Sequence, residues 1–311
     1  MLNDDILHAI GRTPLIELRN CSPKSGVRLF AKLEGQNPSG SVKDRIALEM
    51  VLAAERSGRL RPGGAIVVAS TGNTGIAFAL VGRVRGYRVR VVMPENIADE
   101  IPRTLSAYGA TMEWVPAEQG MRKAIDVAQG FAQREGELLL DQFADPLNTQ
   151  AHYDTTGPEI LDDLPGVDVF IAGLGTGGTL MGVGRRLKEA NSATQVIAVE
   201  PHPGNQLKGL RSLAEGFIPP ILDLDFLDGK ILVSSGHAFR AAAEVMRREA
   251  IFAGVSSGAV LHAARKVAQR LSRGNVVLLF ADGGWKYLAT NLWTRPPQAG
   301  EGEELDDMMW W

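Results

Sequence analysis

Cysteine is almost missing from this sequence: Cys21 is the only one. A single thiol closes no intrachain disulfide and cannot build a thiolate metal site, so a reducing, cytoplasmic compartment is expected. Histidine is scarce as well. His8, His152, His202, His237 and His262 show no ligand spacing, and no metal is expected. Charge of one sign is lacking: 33 Lys and Arg against 36 Asp and Glu leave a net charge of -3. Nothing in that balance points to nucleic acid or to an anionic membrane. Long apolar runs are absent too, since stretches such as Val276 to Ala281 are of strand length and far short of a membrane span. The acidic start Met1-Leu2-Asn3-Asp4-Asp5 leads into none, so no signal peptide is expected.

What remains is an alternating pattern over 311 residues, enough for two domains, with 45% hydrophobic residues to fill their cores. Val27 to Lys32, Ala65 to Ala69, Tyr87 to Met93 and Thr111 to Val115 read as strands, with helices over 42–59, 74–85, 101–108 and 121–134 between or after them. The second half repeats the scheme. Strands are expected over 167–172, 195–200 and 276–281, and helices over 180–190, 239–249 and 258–273. Short buried strands alternating with helices imply doubly wound, mostly parallel open sheets, with ligands at the carboxyl ends of the strands. A boundary near 145–148 separates two α/β halves. From Arg295 onward periodicity stops, and the acidic end closes on Met308-Met309-Trp310-Trp311.

Three loops could hold one anionic ligand. Gly173-Leu174-Gly175-Thr176-Gly177-Gly178-Thr179 joins an apolar strand to a helix, offering close backbone approach, free N–H groups and two hydroxyls for a phosphate. The same glycines form a dinucleotide fingerprint with Glu200 closing the next strand, so an NAD-dependent dehydrogenase is a remote rival that leaves the other two loops idle. Ser70-Thr71-Gly72-Asn73-Thr74-Gly75 also precedes a helix and suits a carboxylate, although Asn73 or Thr74 could simply cap that helix. In Asn37-Pro38-Ser39-Gly40-Ser41-Val42-Lys43-Asp44-Arg45, Ser41 can cap a helix whose first turn carries Lys43. The helix dipole opposes an ammonium there and favours the neutral amine that a Schiff base needs. Taken alone, Lys43 reads first as a solvated lysine paired with Asp44.

Together these segments resemble the cysteine synthase family of fold-type II pyridoxal-phosphate enzymes. The resemblance runs from Ile10-Gly11-Arg12-Thr13-Pro14-Leu15 to about Thr290. It includes Gln142-Phe143, Thr156-Gly157-Pro158-Glu159, Gly254-Val255-Ser256-Ser257-Gly258 and Asp282-Gly283-Gly284-Trp285-Lys286-Tyr287-Leu288. It implies two doubly wound domains, 1–14 with 37–146 and 15–36 with 147–295, an active site in the cleft between them, and a tail over 296–311. It implies pyridoxal 5'-phosphate, held by Lys43 as the aldimine lysine and later the acid–base group at Cα. Asn73 would bond the ring hydroxyl, Gly175, Thr176, Gly177, Gly178 and Thr179 the phosphate, and Ser256 the pyridine nitrogen. Ser70, Thr71, Gly72, Thr74 and Gln142 would receive the substrate carboxylate. The family has Thr-Ser where this chain has Ser70-Thr71, which puts substrate affinity or loop closure in question.

The implied reaction is β-replacement through an aminoacrylate, in two half-reactions, giving L-cysteine. The strip Leu210-Arg211-Ser212-Leu213-Ala214-Glu215-Gly216-Phe217-Ile218-Pro219 resembles the O-phosphoserine-dependent branch, in which Arg211 would take the substrate phosphate. A surface arginine is the bland alternative, and O-acetylserine the alternative substrate. Related chemistries are cystathionine β-synthase, 2,3-diaminopropionate synthase and serine dehydratase. The resemblance further implies a homodimer, and as sulfur source either sulfide or a thiocarboxylated carrier protein. The acidic tail with its four bulky apolar end residues is expected to fold over the cleft and yield to such a partner, a disordered end being the alternative. His152 reads as structural.

Overall fold

The computed structural model describes residues 4–205, 207–294 and 309–310. Its strands are β1 (Leu15–Glu17), β2 (Val27–Leu33), β3 (Ala65–Ala69), β4 (Arg88–Pro94), β5 (Thr111–Val115), β6 (Leu138–Leu139), β7 (Val169–Gly173), β8 (Gln195–Pro201), β9 (Gly229–Val233), β10 (Gly274–Phe280) and β11 (Met309–Trp310). The helices are α1 (Lys43–Arg56), α2 (Asn73–Arg85), α3 (Glu100–Ala107), α4 (Gly120–Glu135), α5 (Leu147–Ala151), α6 (Gly157–Asp163), α7 (Gly178–Ala190), α8 (Ser235–Glu249) and α9 (Val255–Arg270), with a π-helical stretch His152–Thr156 joining α5 to α6. The chain forms two compact units, Met1–Ile10 with Asn37–Asn148, and Gly11–Gln36 with Thr149–Trp311. No described helix is long and apolar enough to cross a membrane.

The first unit holds a parallel sheet in the order β5-β4-β3-β6. β3 is buried along nearly its whole length, as a strand covered on both faces must be. It ends at Ala69, so the Ser70–Gly72 loop leaves from its carboxyl end and α2 follows.

The second unit has the order β1-β2-β10-β7-β8-β9-β11, parallel from β2 to β9 with an antiparallel strand at each edge. β2 and β10 lie far apart in sequence yet pair over seven residues, from Val27↔Gly274 to Leu33↔Phe280. β7 ends at Gly173 and feeds the second glycine loop into α7. Of the tail expected over 296–311, only Met309–Trp310 is described, and it pairs with β9; the rest lies outside the described residues.

Helix α8 begins at Ser235, four residues before the apolar pattern starts, because Ser234 Oγ accepts the His237 N–H. Its packing on α9 depends on Gly258. A Cβ there would overlap Ala238 O and stand 2.6 Å from Ala242 N. Gly258→Ala is therefore expected to lose about 1–3 kcal/mol, the usual cost of forcing a carbon into a packed core. Urea unfolding checks this, and an unchanged midpoint would mean that the two helices yield freely.

Candidate active site

The expected site residues fall into two sets, one on each unit. In the first unit, Gly40 N–H closes a turn on Asn37 O at 2.7 Å and delivers the chain to α1, whose first residue is Lys43. The capping expected of Ser41 is partial: its Oγ accepts the Lys43 N–H at 3.3 Å. Asp44 is engaged by Ser39, whose N–H donates to it at 2.6 Å and whose hydroxyl also donates. Lys43 is half-buried, and the protein packed around it lowers its amine to about 8. The direction is the one expected from the helix dipole, but desolvation is the cause.

The Ser70–Gly75 loop spends part of its donor set on itself. Ser70, buried, accepts the Gly75 N–H at 2.9 Å and the Gly72 N–H at 3.1 Å through one Oγ. That bond closes the start of α2, whose N-cap Gly72 has no side chain to do so. Thr74 Oγ1 donates to Gln142 Oε1 at 2.6 Å, and Gln142 Nε2 donates to Ala69 O at 3.2 Å. Gln142 O in turn accepts from Asn148 Nδ2 at 2.7 Å. Thr71 is the exposed hydroxyl of the loop, and Asn73 is half-buried. The inverted Ser-Thr order thus puts the small residue where the backbone is braced.

In the second unit the β7–α7 loop ends at Gly177, the N-cap of α7, with φ +89 and no side-chain cap. Only glycine takes that conformation freely, and Leu222 Cδ1 would stand 2.9 Å from a Cβ there. Thr176 and Thr179 are buried hydroxyls beside the open helix start. The loop is held from both sides: Leu174 N–H donates to Val199 O at 2.8 Å, and Arg211 N–H donates to Leu174 O at 2.7 Å.

A residue that the sequence reading set aside also acts here. His152, fully buried, lies 3.1 Å from Thr179 Oγ1 through Nε2 and 2.9 Å from Thr156 Oγ1 through Nδ1. It fixes one hydroxyl of the β7–α7 loop, and the only hint in the sequence is its place four residues before the Thr156-Gly157-Pro158-Glu159 motif.

Ser256 is 3% exposed in the first turn of α9. Gly209, with φ +90, leaves a gap in front of it: a Cβ there would stand 3.7 Å from Ser256 Oγ. A Cβ on Gly175 would stand 3.4 Å from Gly209 O, so the β7–α7 loop borders the same region. Arg211 is half-buried with its guanidinium 4.9 Å from the Phe217 ring centre. Burial lowers its pKa, yet a guanidinium stays charged. Glu200 is not placed for a ribose. One oxygen accepts the Leu213 N–H at 2.8 Å and the other lies 3.4 Å from Lys230 Nζ.

These groups fit pyridoxal phosphate: an amine whose pKa is lowered to about 8, a hydroxyl-bearing helix start whose N-cap has no side chain, and a gap before Ser256 that any side chain at Gly209 would fill. Fold and donor set define a pyridoxal-phosphate-dependent enzyme, and the family model described as pyridoxal-phosphate dependent enzyme matches residues 6–282. The chain is 40% identical over 301 residues to the cysteine synthase of Staphylococcus aureus, covering 94% of this chain and 97% of that one. It is 39% identical over 284 residues to cysteine synthase B of Salmonella typhimurium, covering 91% and 94%. Among solved structures, O-ureido-L-serine synthase superposes with a TM-score of 0.89 at 36% identity, covering 94% of this chain and 95% of that one. Cysteine synthase from Entamoeba histolytica gives 0.89 at 33%, covering 97% and 94%. The chain belongs to the cysteine synthase family.

Proposed function

We propose that this protein makes L-cysteine by replacing the β-substituent of an activated L-serine with sulfur, and that the preferred substituent is phosphate. Cysteine synthase relatives spanning nearly the whole chain support the reaction class. Arg211 supports the substituent: a half-buried fork of donors, anchored by its own N–H to the phosphate loop, suits a dianion better than an uncharged acetyl group.

Bound pyridoxal phosphate supplies the electron sink that lets the Cα proton and the β-substituent leave. Lys43 holds the cofactor covalently, then takes the Cα proton and returns it after sulfur has added at Cβ. An amine of pKa about 8 can do both near neutral pH. The N–H groups and hydroxyls of Gly175, Thr176, Gly177, Gly178 and Thr179 hold the cofactor's phosphate, Asn73 its ring hydroxyl and Ser256 its ring nitrogen. Thr71 and the second Nε2 hydrogen of Gln142 receive the substrate carboxylate, and the Gly72 N–H joins them by leaving its bond to Ser70. Ser70 and Thr74 act one step back, as the braces that shape this loop. A neutral serine at the ring nitrogen favours ring protonation, and so a deep electron sink, less than a carboxylate partner would, which suits elimination and addition at Cβ over transamination.

Arg211→Ala is expected to lose about 1.5–3 kcal/mol of O-phosphoserine recognition, the range for hydrogen bonds to charged groups, and much less with O-acetylserine. The ratio of kcat/KM for the two substrates reads this directly. Equal losses would assign Arg211 a structural role and remove the phosphate preference. Sulfide and a small carrier protein with a C-terminal thiocarboxylate are the sulfur donors to compare, and a homodimer is the assembly to test.

A further inference from the structure

The π-helical stretch His152–Thr156 puts a histidine and a threonine four residues apart on one face, with the Gly157 N–H donating to His152 O across the wider turn. This stretch packs closely on α7. A Cβ on Gly182 would overlap Thr149 O and stand 2.7 Å from His152 Cβ. Gly182 lies about one turn beyond Thr179, so the close approach sets the imidazole beside that threonine. The result is a chain of three groups, with Thr156 Oγ1 2.9 Å from His152 Nδ1 and His152 Nε2 3.1 Å from Thr179 Oγ1.

A neutral imidazole has one N–H and one lone pair on its two nitrogens, and each hydroxyl has one proton to give. Both bonds can then be made in two ways. In the first, Thr156 donates to Nδ1, Nε2–H donates to Thr179, and Thr179 keeps its proton for an outside acceptor. In the second, each bond is reversed, and Thr179 turns only a lone pair outward. Burial decides between them. Thr156 is 0% exposed and its Oγ1 has no second partner among the described residues, so the reversed chain would leave a buried O–H unmet. Thr179, 8% exposed in the first turn of α7, can reach an acceptor at the helix start.

We propose that Thr156 and His152 are positioning residues for the cofactor's phosphate: they hold the Thr179 proton outward, so that this hydroxyl meets the dianion as a donor. The inference rests on the pyridoxal-phosphate reading above, in which the β7–α7 loop holds that phosphate. A phosphate dianion accepts hydrogen bonds and gives none, so the reversed chain would set a Thr179 lone pair against it. With the order fixed beforehand, no proton has to be rearranged when the cofactor docks.

The test uses holoenzyme of the wild type, Thr156→Val, Thr156→Ser, Thr179→Val and the double valine variant. Equilibrium dialysis gives the cofactor dissociation constant, and circular dichroism checks the fold. Thr179→Val is expected to raise the constant about 10- to 100-fold, the loss of a hydrogen bond to a charged group. Thr156→Val keeps the shape of the side chain and removes the hydroxyl that fixes the imidazole. It is expected to raise the constant about 3- to 10-fold, and Thr156→Ser to restore it. In the Thr179→Val background Thr156→Val should add nothing, because it acts through the Thr179 hydroxyl. A merely structural threonine would cost as much in either background, and that result would overturn this inference alone. So would wild-type affinity in a folded Thr156→Val protein. Neutron diffraction from deuterated wild-type holoenzyme crystals decides the matter even if the variants do not fold. A deuteron on His152 Nε2 alone is expected, and one on Nδ1 would overturn the proposal. Failure of the wild type to take up pyridoxal phosphate would overturn the parent reading along with it.

Discussion

Lys43→Ala is expected to give a folded protein whose cysteine-forming turnover falls by more than the roughly 10²–10⁴-fold typical of removing a general base. In the proposed mechanism Lys43 has two tasks, covalent attachment of the cofactor and proton transfer at Cα, and no second amine stands in for it within the loop that carries it. Its position makes the loss specific. It is the first residue of α1, where alanine is an excellent helix former and the Gly40 turn that precedes it is untouched. Steady-state cysteine formation measures the effect. In the wild type, borohydride should fix the cofactor to Lys43, and peptide mapping should find it nowhere else. A variant that kept more than a tenth of wild-type turnover would remove Lys43 from the mechanism.

The loops that carry this chemistry are legible in sequence because glycine, threonine and serine between an apolar strand and a helix have few other uses. Both glycine loops do leave the carboxyl end of a parallel strand. Hydrogen-bond assignments within a loop are not legible. Ser70 and Thr71 are adjacent hydroxyls of similar chemistry, and only the fold shows that Ser70 braces Gly72 and Gly75 while Thr71 is exposed. His152 escapes for another reason: its partner Thr179 lies on a different helix, and nothing periodic links them. β1 is three residues long and only part-buried, and β9 is a buried five-residue run opened by Gly229 and Lys230, so alternation announces neither, and the pairing of β2 with β10 joins distant stretches of chain. The fingerprint glycines with Glu200 show the opposite failure, a pattern satisfied by sequence whose acid is occupied by Leu213 and Lys230.

The property that equips Lys43 for catalysis should also cost stability, and the cost should have a pH signature. Its amine sits at about 8 in the folded protein against 10.5 for an unperturbed lysine. The unfolded chain therefore holds this proton more tightly than the folded one between pH 8 and 10.5, and stability rises with pH across that window. Below about pH 8 the folded protein bears the whole penalty of a desolvated ammonium; above about 10.5 it bears none. At 1.36 kcal/mol per unit the penalty is at most about 3 kcal/mol, less to the degree that the half-buried side chain still reaches water. Lys43→Met removes the charge and keeps the length of the chain. Without cofactor, whose attachment removes the free ammonium, this variant should unfold at higher urea than the wild type at pH 7. The gap should narrow from pH 8 upward and close near 10.5. Only such a trend separates a relieved charge from better packing, because a packing gain would persist at every pH. Equal midpoints at pH 7 would mean that Lys43 pays no desolvation cost and that its amine is not poised for proton transfer by burial.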